Sequence, residues 1–530
     1  MPKSNLYKGL ASIMIDYSAW TSIHGIPHIG MANALWLRLL WVVIVAFCSA
    51  MFIYQLVGII MKYLSYPVNV DTQLQFGEKT FPAVTVCNLN PWNQDLPTTE
   101  EFQDLIDSYE TGMPADFGFT GDTYDKVQRA KKWAQFLFSD LVTLDATSQA
   151  SYNYTDLFIS CSYNTKNCNE TDFSSFYDQN YGSCHTFNFD GRYSSSRAGP
   201  LYGLRAVMRI RTEEYLPWVQ SAGAVVYIHD KDEMPFMDAF GYFIPVGTAS
   251  SLGVRFVSRE KLPEPYSTCS DTGGSQTNYY NSSYQVEACI RSCLQDKIVS
   301  ECSCYDPSYA PPTNGSSGSC GDASDPNSKI DCIFGITDTD GSSGFDVNTE
   351  CSCPQNCLQS YYQVTMSTAF WPASAYTPTE CVTSDPSYTY WGNKDECKAW
   401  YKDNTLLVEV YYERMNYQVL TESEAYAFIN LISDVGGQVG LWLGMSVISI
   451  IEFLTLLVLL VCYCLARPTD AYHPDFDEDE RRKEMAMQKK MRDKAEKLYG
   501  RKSSLTSPRG NDLYKPDNGD PLPPAVQDAR

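Results

Sequence analysis

The chain has 530 residues, a formal net charge of -23 and 19 cysteines. Such a length accommodates two or more domains, and such an acidic balance argues against nucleic acid as a partner. The charge is typical instead of an extracellular surface that attracts cations.

A long uncharged segment follows a short polar N-terminus. Residues 1–38 lack the basic start, brief apolar core and small-residue cleavage site of a signal peptide. From Leu39 to Met61 the sequence carries no charge over about 23 residues, which corresponds to roughly 34 Å of helix. We therefore predict a cytoplasmic N-terminus over residues 1–38 and a first transmembrane helix over residues 39–63.

Residues 64–426 have the composition of an extracellular domain. Sixteen of the 19 cysteines lie between Cys87 and Cys397, and an even number in one block is typical of a disulfide framework in an oxidising compartment. A zinc site at the Cys-x-Cys pairs 302/304 and 351/353 is the alternative, which the scarcity of histidine in this block disfavours. Four N-glycosylation sequons also fall here, at Asn153, Asn169, Asn281 and Asn314.

Hydrophobic periodicity predicts both helices and strands in this block. We expect strands at Thr80–Asn88, Leu204–Arg211, Ala224–His229, Gly253–Ser258 and Leu406–Met415. We expect helices at Glu101–Tyr109, Tyr124–Leu144 and 284–300. Residues 305–350 are rich in Gly, Ser and Asp, and we expect them to form mainly loop.

A second apolar segment, residues 427–466, is long enough for a tilted or broken membrane span. It carries two carboxylates, Asp434 and Glu452, which plain membrane anchors avoid, so the segment is a candidate ion path. Glycines recur every four residues, at Gly436, Gly440 and Gly444. On a helix these glycines stack on one side, and the alternative to a pore lining is a small-residue face that serves only helix packing.

Basic residues cluster beyond this second segment, in a tail of residues 467–530 that we predict to be partly disordered. Positive charge beside a span favours the cytoplasmic side, so we predict a multi-pass plasma-membrane protein with both termini in the cytoplasm. Two helices cannot enclose an ion path, and a pore would need several subunits in a closed ring. The rival class is a non-conducting receptor or adhesion protein in the lipid bilayer. The sequence shows no HExxH, Gly-x-Ser-x-Gly or phosphate-loop motif, so we predict no enzymatic activity, no cofactor and no metal site.

Four motifs together resemble those of a known channel family. A strand motif at residues 81–90 (FPAVTVCNLN) follows the first apolar segment, and a His24-Gly25 pair precedes it. Asp434 begins the run DVGGQVGLWLG, which resembles the family's pore helix, and Gly444-Met445-Ser446 fits a Gly-x-Ser selectivity motif. Over nearly the whole chain, the sequence resembles the degenerin, epithelial sodium channel and acid-sensing ion channel family.

The resemblance implies an α+β membrane protein in which two transmembrane helices carry a large disulfide-rich ectodomain with finger, thumb, knuckle, palm and β-ball regions. It also implies a trimeric, amiloride-sensitive, sodium-selective channel, as a homotrimer or a heterotrimer, with permeant Na⁺ and no cofactor. The selectivity filter would be formed by Gly444, Met445 and Ser446. Ser433 and Asp434 would mark the outer mouth of the pore. Gly440 would lie at the level of the amiloride block, and Glu452 at the inner approach.

A gating apparatus is implied in the same way. His24-Gly25 would belong to a re-entrant cytoplasmic loop that affects gating. Tyr66 would meet Tyr266 of the Pro-rich loop 262–266 and transmit motion of the ectodomain to the helices. Met415-Asn416 stands where the family has a linker associated with desensitisation.

The order of the cysteines suggests disulfide pairs by the same resemblance. Seven pairs follow the family pattern, namely Cys87–Cys184, Cys161–Cys168, Cys269–Cys357, Cys289–Cys353, Cys293–Cys351, Cys302–Cys332 and Cys304–Cys320. Cys381 and Cys397 are left over and would form an eighth pair outside that pattern.

Three departures from the acid-sensing branch argue against proton gating. Val68 replaces a wrist histidine, Val225 replaces a palm lysine, and only His185 and His229 remain in the ectodomain to titrate near neutrality. Asn90-Pro91-Trp92 and the stretch 367–373 resemble the epithelial and peptide-gated branches more closely. We therefore expect a channel opened by an extracellular neuropeptide of the FMRFamide type, whose cationic charge the acidic ectodomain would attract. A proton-gated or constitutively open sodium channel is the alternative.

Overall fold

The computed structural model describes residues 13–93, 100–112, 117–119, 121–141, 151–280, 282–313, 317–337, 345–382 and 393–466, and six residues between 486 and 493. The chain forms two compact units. One unit comprises residues 1–64 and 427–530, and the other comprises residues 65–426.

The described residues of the first unit are mainly helical. Its helices are α1 (residues 13–20), α2 (Ile26–Met31), α3 (Leu35–Leu64), α12 (Phe428–Leu443) and α13 (Val447–Ala466). Helix α3 begins at Leu35 rather than at Leu39, because Arg38 is accommodated within its first turn. The Arg38 Nε donates a hydrogen bond to the Ala32 carbonyl at 2.8 Å. Helix α3 and residues Val447–Leu465 are long and apolar enough to span a membrane.

The second unit is built on two large sheets. Its strands are β1 (Val68–Phe76), β2 (Lys79–Thr80), β3 (Ala83–Asn88), β4 (Phe158–Tyr163), β5 (Lys166–Asn167), β6 (Phe173–Asp178), β7 (Gly182–Phe187), β8 (Ser194–Ser195), β9 (Leu204–Arg209), β10 (Gly223–His229), β11 (Tyr242–Pro245), β12 (Thr248–Glu260), β13 (Leu358–Phe370), β14 (Thr405–Tyr412) and β15 (Asn416–Glu424). An eight-stranded sheet has the order β1-β15-β12-β14-β9-β4-β5, with β13 also paired to β12. A five-stranded sheet has the order β11-β10-β3-β7-β6, and β2 pairs with β8.

The main core of this unit takes apolar side chains from both large sheets. Val84 and Val86 of β3 are fully buried beside Leu252 and Val254 of β12. The alternation of apolar residues along such strands explains why sequence periodicity located them. Because both sheets share one core, they form a rigid base for the segments that leave their ends.

A second, aromatic core lies among the helices of the ectodomain. The helices of this unit are α4 (Glu100–Thr111), α5 (Thr123–Leu141), α6 (Tyr154–Leu157), α7 (Met237–Phe240), α8 (Val286–Cys302), α9 (Pro326–Thr337), α10 (Val347–Glu350) and α11 (Lys394–Asn404). Trp92 stacks on Phe138 of α5 with ring centroids 3.6 Å apart, and Phe102 of α4 packs edge-on against both rings. Aromatic packing therefore holds α4 and α5 together.

The expectation of loop over residues 305–350 is wrong for part of that stretch. Helices α9 and α10 lie within it. Ile330, Ile333 and Ile336 of α9 are buried and recur every three residues, so they form one apolar face. The prediction failed because the many Gly, Ser and Asp residues on either side of α9 gave the whole stretch the composition of a loop.

Candidate functional site

The second apolar segment is broken at the predicted filter. Helix α12 ends at Leu443, and α13 begins at Val447, so Gly444, Met445 and Ser446 are not helical. Gly444 adopts a φ of 61°, which favours glycine, and its N–H donates to the Gly440 carbonyl at 3.1 Å. The Ser446 N–H donates to the Ser449 Oγ at 3.0 Å and so caps the start of α13. The three-residue break therefore has a defined conformation on both sides.

His24 packs directly on this break. Its backbone N–H donates to the Leu443 carbonyl at 3.2 Å, and its Nδ1 lies 3.0 Å from the Gly444 carbonyl oxygen. A Cβ on Gly444 would lie 1.5 Å from the His24 Nδ1. Gly25 follows with a φ of 90° and turns the chain into α2. The structure thus brings the His-Gly pair and the Gly-x-Ser motif, which lie far apart in sequence, into one site.

The Glu452 carboxylate is held by the same N-terminal segment. Its Oε2 accepts hydrogen bonds from the Ser22 N–H at 2.8 Å, the Ser22 Oγ at 3.0 Å and the Thr21 Oγ1 at 3.3 Å. The Ser22 Oγ also lies 2.6 Å from the Oγ of Ser449, which is fully buried. Sequence reasoning missed Thr21, Ser22 and Ser449, because Thr21 and Ser22 lie more than 400 positions from Ser449 and Glu452 in sequence and no local pattern marks the contact.

The outer half of α12 carries the other predicted pore residues. Ser433 and Asp434 are both exposed, and the Ser433 Oγ donates to the Ile429 carbonyl at 2.9 Å. A Cβ on Gly436 would meet no atom within 4 Å, and one on Gly440 would meet only the Met445 carbonyl oxygen at 3.9 Å. Within the described chain, the helix face at Gly436 and Gly440 is therefore open to water, to lipid or to another subunit. The expectation that all three glycines stack on one helix is wrong for Gly444, which follows the end of α12 and lies against His24.

Helix α12 is fixed to α3 on a different side. The Trp442 Nε1 donates to the Gln55 Oε1 at 2.9 Å and to the Gln438 Oε1 at 3.1 Å. Phe47 of α3 meets the Trp442 ring edge-on at 6.5 Å. This polar and aromatic contact orients α12, and so orients the residues of its open face.

The two predicted gating tyrosines are in contact within the ectodomain unit. The rings of Tyr66 and Tyr266 lie 5.4 Å apart in an edge-to-face arrangement. Met415 is buried in the short connection between β14 and β15, and Asn416 is the first residue of β15. The Met415 carbonyl accepts a hydrogen bond from the Gly77 N–H at 3.4 Å, which links this connection to the end of β1.

The structure contains eight disulfides. Seven join the pairs that the family resemblance implies, and the eighth joins the two left-over cysteines, Cys381 and Cys397. Both Cys-x-Cys pairs are consumed in these bonds, so the zinc alternative for them is wrong. No cluster of three or more metal-ligating side chains occurs among the residues that the structure describes. Asn153 and Asn169 are exposed, whereas Asn281 and Asn314 lie outside the described residues.

The two ectodomain histidines are buried and hydrogen-bonded. The His229 Nε2 lies 2.7 Å from the Thr85 Oγ1, and burial lowers the pKa of His229 to about 4. The His185 Nδ1 lies 2.8 Å from the Ser175 Oγ, and burial also lowers the pKa of His185. Burial therefore shifts the pKa of both imidazoles toward more acidic values.

Two carboxyl groups have pKa values raised toward neutral pH. Burial raises the pKa of Glu233 to about 7, although its carboxylate accepts a hydrogen bond from the Asp230 N–H. Burial likewise raises the pKa of Asp178 to about 6, against hydrogen bonds from the N–H groups of Asn180 and Tyr181. Sequence reasoning did not single out either residue.

A cleft of about 500 Å³ opens between α5, α8 and the connection after β6. Its walls include the aromatic rings of Trp92 and Trp218. Its charged lining is mainly basic, with Lys131, Lys132 and Arg291 against one acidic side chain. That acidic side chain, Asp238, accepts two hydrogen bonds of 2.9 Å from Arg291. The charged lining of the cleft therefore has an excess of positive charge, which does not favour a cationic ligand.

Comparison with known proteins identifies the family. Residues 17–456 match the family described as amiloride-sensitive sodium channel. The degenerin-like protein asic-2 of Caenorhabditis elegans is 31% identical over 537 residues, which cover 95% of this chain and 97% of that protein. Degenerin mec-4 of Caenorhabditis briggsae is 38% identical over 345 residues, which cover 64% of this chain and 43% of that protein. Degenerin-like protein asic-1 of C. elegans is 36% identical over 343 residues, which cover 63% of this chain and 40% of that protein.

These matches agree with the described architecture of two apolar helices and a disulfide-rich α/β ectodomain. Members of the family are ion channels and not enzymes, and they reside in the plasma membrane with two transmembrane helices and cytoplasmic termini. The chain belongs to the amiloride-sensitive sodium channel family.

Proposed function

We propose that three copies of this chain, or this chain with related subunits, form a sodium-selective pore whose filter is Gly444-Met445-Ser446. The observation that carries this proposal is the break between α12 and α13, where three residues leave the helix inside an apolar segment. Backbone that is not helical is tolerated at membrane depth only where it is buried in protein or lines water. A ring of such segments presents carbonyl oxygens and the Ser446 hydroxyl to a partly dehydrated Na⁺.

The remaining pore residues take positions along the same path. Asp434 concentrates cations at the outer mouth beside Ser433, and Gly440 provides the level at which amiloride enters. Glu452 acts at the inner end through its negative charge and its hydrogen bonds to Ser22. The His24-Gly25 turn supports the filter from the cytoplasmic side, because His24 contacts both Leu443 and Gly444.

An extracellular cationic peptide of the RF-amide type is the stimulus that we propose. The acidic ectodomain attracts such a ligand, and burial lowers the pKa of both ectodomain histidines, which weakens the case for imidazoles as sensors of mild acid. The basic cleft beside Arg291 does not suit an arginine-bearing peptide, so we expect the peptide to bind elsewhere on the acidic surface. Contact between Tyr66 and Tyr266 passes the resulting motion toward the pore, and the linker at Met415 sets desensitisation.

Proton gating is the second candidate, and one observation favours it. Glu233 and Asp178 have pKa values of about 7 and about 6, so both gain protons under mild acid. Protonation of Asp178 changes the charge near Arg291, whose field reaches Asp178, and protonation of Glu233 removes a negative charge beside Asp230. Peptide gating and proton gating predict different responses, and one experiment distinguishes them.

Voltage clamp of cells that express this chain alone tests these proposals. An amiloride-sensitive Na⁺ current evoked by an RF-amide peptide at pH 7.4, without a response to pH 5.5, supports peptide gating. An acid-evoked current that Glu233→Gln and Asp178→Asn together abolish supports proton gating. Absence of current at normal surface expression, under both stimuli and after co-expression of a related subunit, would contradict the proposed channel.

The domain limits and the glycans are part of the same proposal. We propose that residues 1–38 and 467–530 are cytoplasmic, that residues 39–63 and 427–466 are membrane-spanning, and that residues 64–426 are extracellular. N-glycans at Asn153 and Asn169 fit this topology, because both side chains are exposed. Loss of a glycosidase-sensitive mass shift in Asn153→Gln and Asn169→Gln variants would establish occupancy of the two sites.

A further inference from the structure

One cleft of the ectodomain has no part in the proposed pore, and its charge does not suit the proposed cationic peptide. It is the cleft of about 500 Å³ between α5, α8 and the turn after β6, and small-molecule sites have volumes of roughly 300–1,000 Å³. The rings of Phe243 and Phe334 line it, and Phe243 is 56% exposed. The cleft therefore has the size and the apolar surface to take the body of a small organic molecule.

Two of the three cations in the lining are already paired. The Arg291 guanidinium donates two hydrogen bonds of 2.9 Å to Asp238, and its Nε donates to Glu287 at 2.7 Å. The Lys132 Nζ donates to the carboxylate of Asp306, which is fully buried, at 2.8 Å. Because these carboxylates neutralise Arg291 and Lys132, neither cation is available to attract a further anion.

Lys131 is the third cation, and it differs from the other two. Its ammonium group makes no ion pair and no hydrogen bond with any residue that the structure describes. Partial burial lowers the pKa of Lys131, and no carboxylate opposes that shift. The carboxyl of Asp178, at the end of β6, accepts hydrogen bonds from the N–H groups of Asn180 and Tyr181 and is not part of the lining. Lys131 is therefore the cation of this cleft that lacks a counter-anion.

Neutral hydrogen-bond donors line the cleft together with Lys131. Gln128, Lys131 and Gln135 are three or four residues apart on α5, so they share one side of the helix. The Gln135 Nε2 donates to the Asn180 Oδ1 at 2.7 Å, which brings the turn after β6 to this side and leaves the Asn180 amide group without a described acceptor. The side chains of Gln128 and Ser221 also make no hydrogen bond to a described residue. A carboxylate accepts about four hydrogen bonds, and these amide and hydroxyl groups can supply them beside the ammonium.

We propose that this cleft binds a small organic anion that carries one carboxylate on an apolar or aromatic body. The carboxylate binds Lys131 and the neighbouring amide groups, and the body packs against Phe243 and Phe334. A cationic ligand is repelled by the unpaired ammonium of Lys131. A multiply charged anion such as a phosphate ester brings more negative charge than one lysine neutralises, beside the carboxylate of Asp238. A single negative charge is therefore what this lining favours.

Three ligands that share one ring test the charge requirement. They are phenylacetate, its neutral amide phenylacetamide and the cation phenethylamine, each added to the purified full-length protein at constant ionic strength. A ligand that binds only the folded state raises the melting temperature. We expect phenylacetate to raise it saturably, and the amide and the amine to leave it unchanged. Saturation-transfer NMR of the ligand protons should show the same order of binding.

Substitutions at Lys131 assign the effect to this cleft. Lys131→Gln removes the charge and should weaken the affinity for phenylacetate about tenfold or more, whereas Lys131→Arg keeps the charge and should retain binding. Lys166→Gln is the matched control, because Lys166 is an exposed lysine of β5 outside the cleft. Since Lys131 has no ion pair or hydrogen bond within the described chain, Lys131→Gln without ligand should melt at no lower temperature than the wild type, which shows that the variant has folded.

Three results would overturn the assignment. They are no binding of phenylacetate by the wild type, equal binding of phenylacetate and phenylacetamide, and unchanged binding of phenylacetate in Lys131→Gln. The measurement is of binding and needs no current, so failure of the proposed pore or of its stimulus would leave this test unaffected.

Discussion

Glu452 combines two properties at the residue scale, a negative charge in an apolar helix and three hydrogen bonds from the N-terminal segment. We predict that Glu452→Gln lowers single-channel conductance and Na⁺ selectivity, because it removes the charge and weakens the bonds to Ser22. A neutral amide oxygen accepts weaker hydrogen bonds than a carboxylate, so the N-terminal segment should also be released more easily, which would change open probability. Single-channel recording measures both effects.

Ser22→Ala separates the two properties of Glu452. It removes one hydroxyl donor, and with it the contact to Ser449, but it leaves the carboxylate charge in place. We expect Ser22→Ala to change open probability while conductance stays at the wild-type value. Equal conductance in Glu452→Gln and in the wild type would remove Glu452 from the ion path.

Glu233 links the pH of the medium to the stability of the ectodomain. Its pKa is raised to about 7 in the folded state, so folding favours the protonated form. The stability that this group contributes is therefore fully present below its unfolded pKa, and it is lost as pH rises through about 7. Glu233→Gln mimics the protonated form. It should raise the melting temperature of the purified channel by a few degrees at pH 8.

The same comparison at low pH is the control for the Glu233 prediction. At pH 4.5 the folded wild type is already protonated at this position, so Glu233→Gln should change the melting temperature little. Glu213→Gln, at an exposed acidic residue of the same unit, serves as the matched substitution at both pH values. An equal effect of Glu233→Gln at both pH values would contradict a raised pKa.

The broken helix shows, at the scale of elements, what periodicity can and cannot predict. The apolar length of residues 427–466 predicted a span, and the Gly-x-Ser motif predicted where its backbone departs from the helix. Neither feature predicted that His24 contacts Gly444 or that Ser22 contacts Glu452, because these contacts form only after distant segments fold together. Strands β1 and β15 escaped prediction for a related reason. Both strands are mostly polar. Strand β1 is exposed and β15 is largely half-buried, and the β1–β15 ladder depends on hydrogen bonds between the two strands rather than on an apolar pattern.

Gly444→Ala tests the break itself. The added Cβ would lie 1.5 Å from the His24 Nδ1, and the left-handed backbone at this position costs a non-glycine residue about 1–2 kcal/mol. We expect loss of nearly all current while the protein still reaches the cell surface. His24→Ala combined with Gly444→Ala removes the clash but keeps the backbone strain, so current should return only in part.

Gly58→Ala provides the matched control for the Gly444 prediction. Gly58 lies in α3, and a Cβ there would meet no atom within 4 Å. It should leave current and surface expression unchanged. A fully active Gly444→Ala channel would contradict the assignment of Gly444 to a tight break.

At the scale of the whole molecule, the sequence predicted the domain organisation and the disulfides more securely than it predicted the assembly of subunits. The even cysteine count and the acidic block marked the ectodomain, and the family pattern supplied pairs that local spacing alone left open. The aromatic core around Trp92 could not be predicted from sequence periodicity, because its rings come from several separate segments of the chain. The number of subunits is likewise a property of surfaces, such as the open glycine face of α12, and not of any motif.

Mixing subunits measures that number directly. If three chains form one filter, equal co-expression of wild type and Gly444→Ala gives all-wild-type trimers in a fraction of about one eighth. Because one distorted segment disrupts the ring of carbonyls, current should fall to about that fraction at constant surface protein. A fall to about one quarter would indicate a dimer, and a fall to about one sixteenth a tetramer. A mixture with Gly58→Ala should keep full current. A fall to only about one half would mean that the two chains do not share a pore, and it would contradict a filter built by the ring.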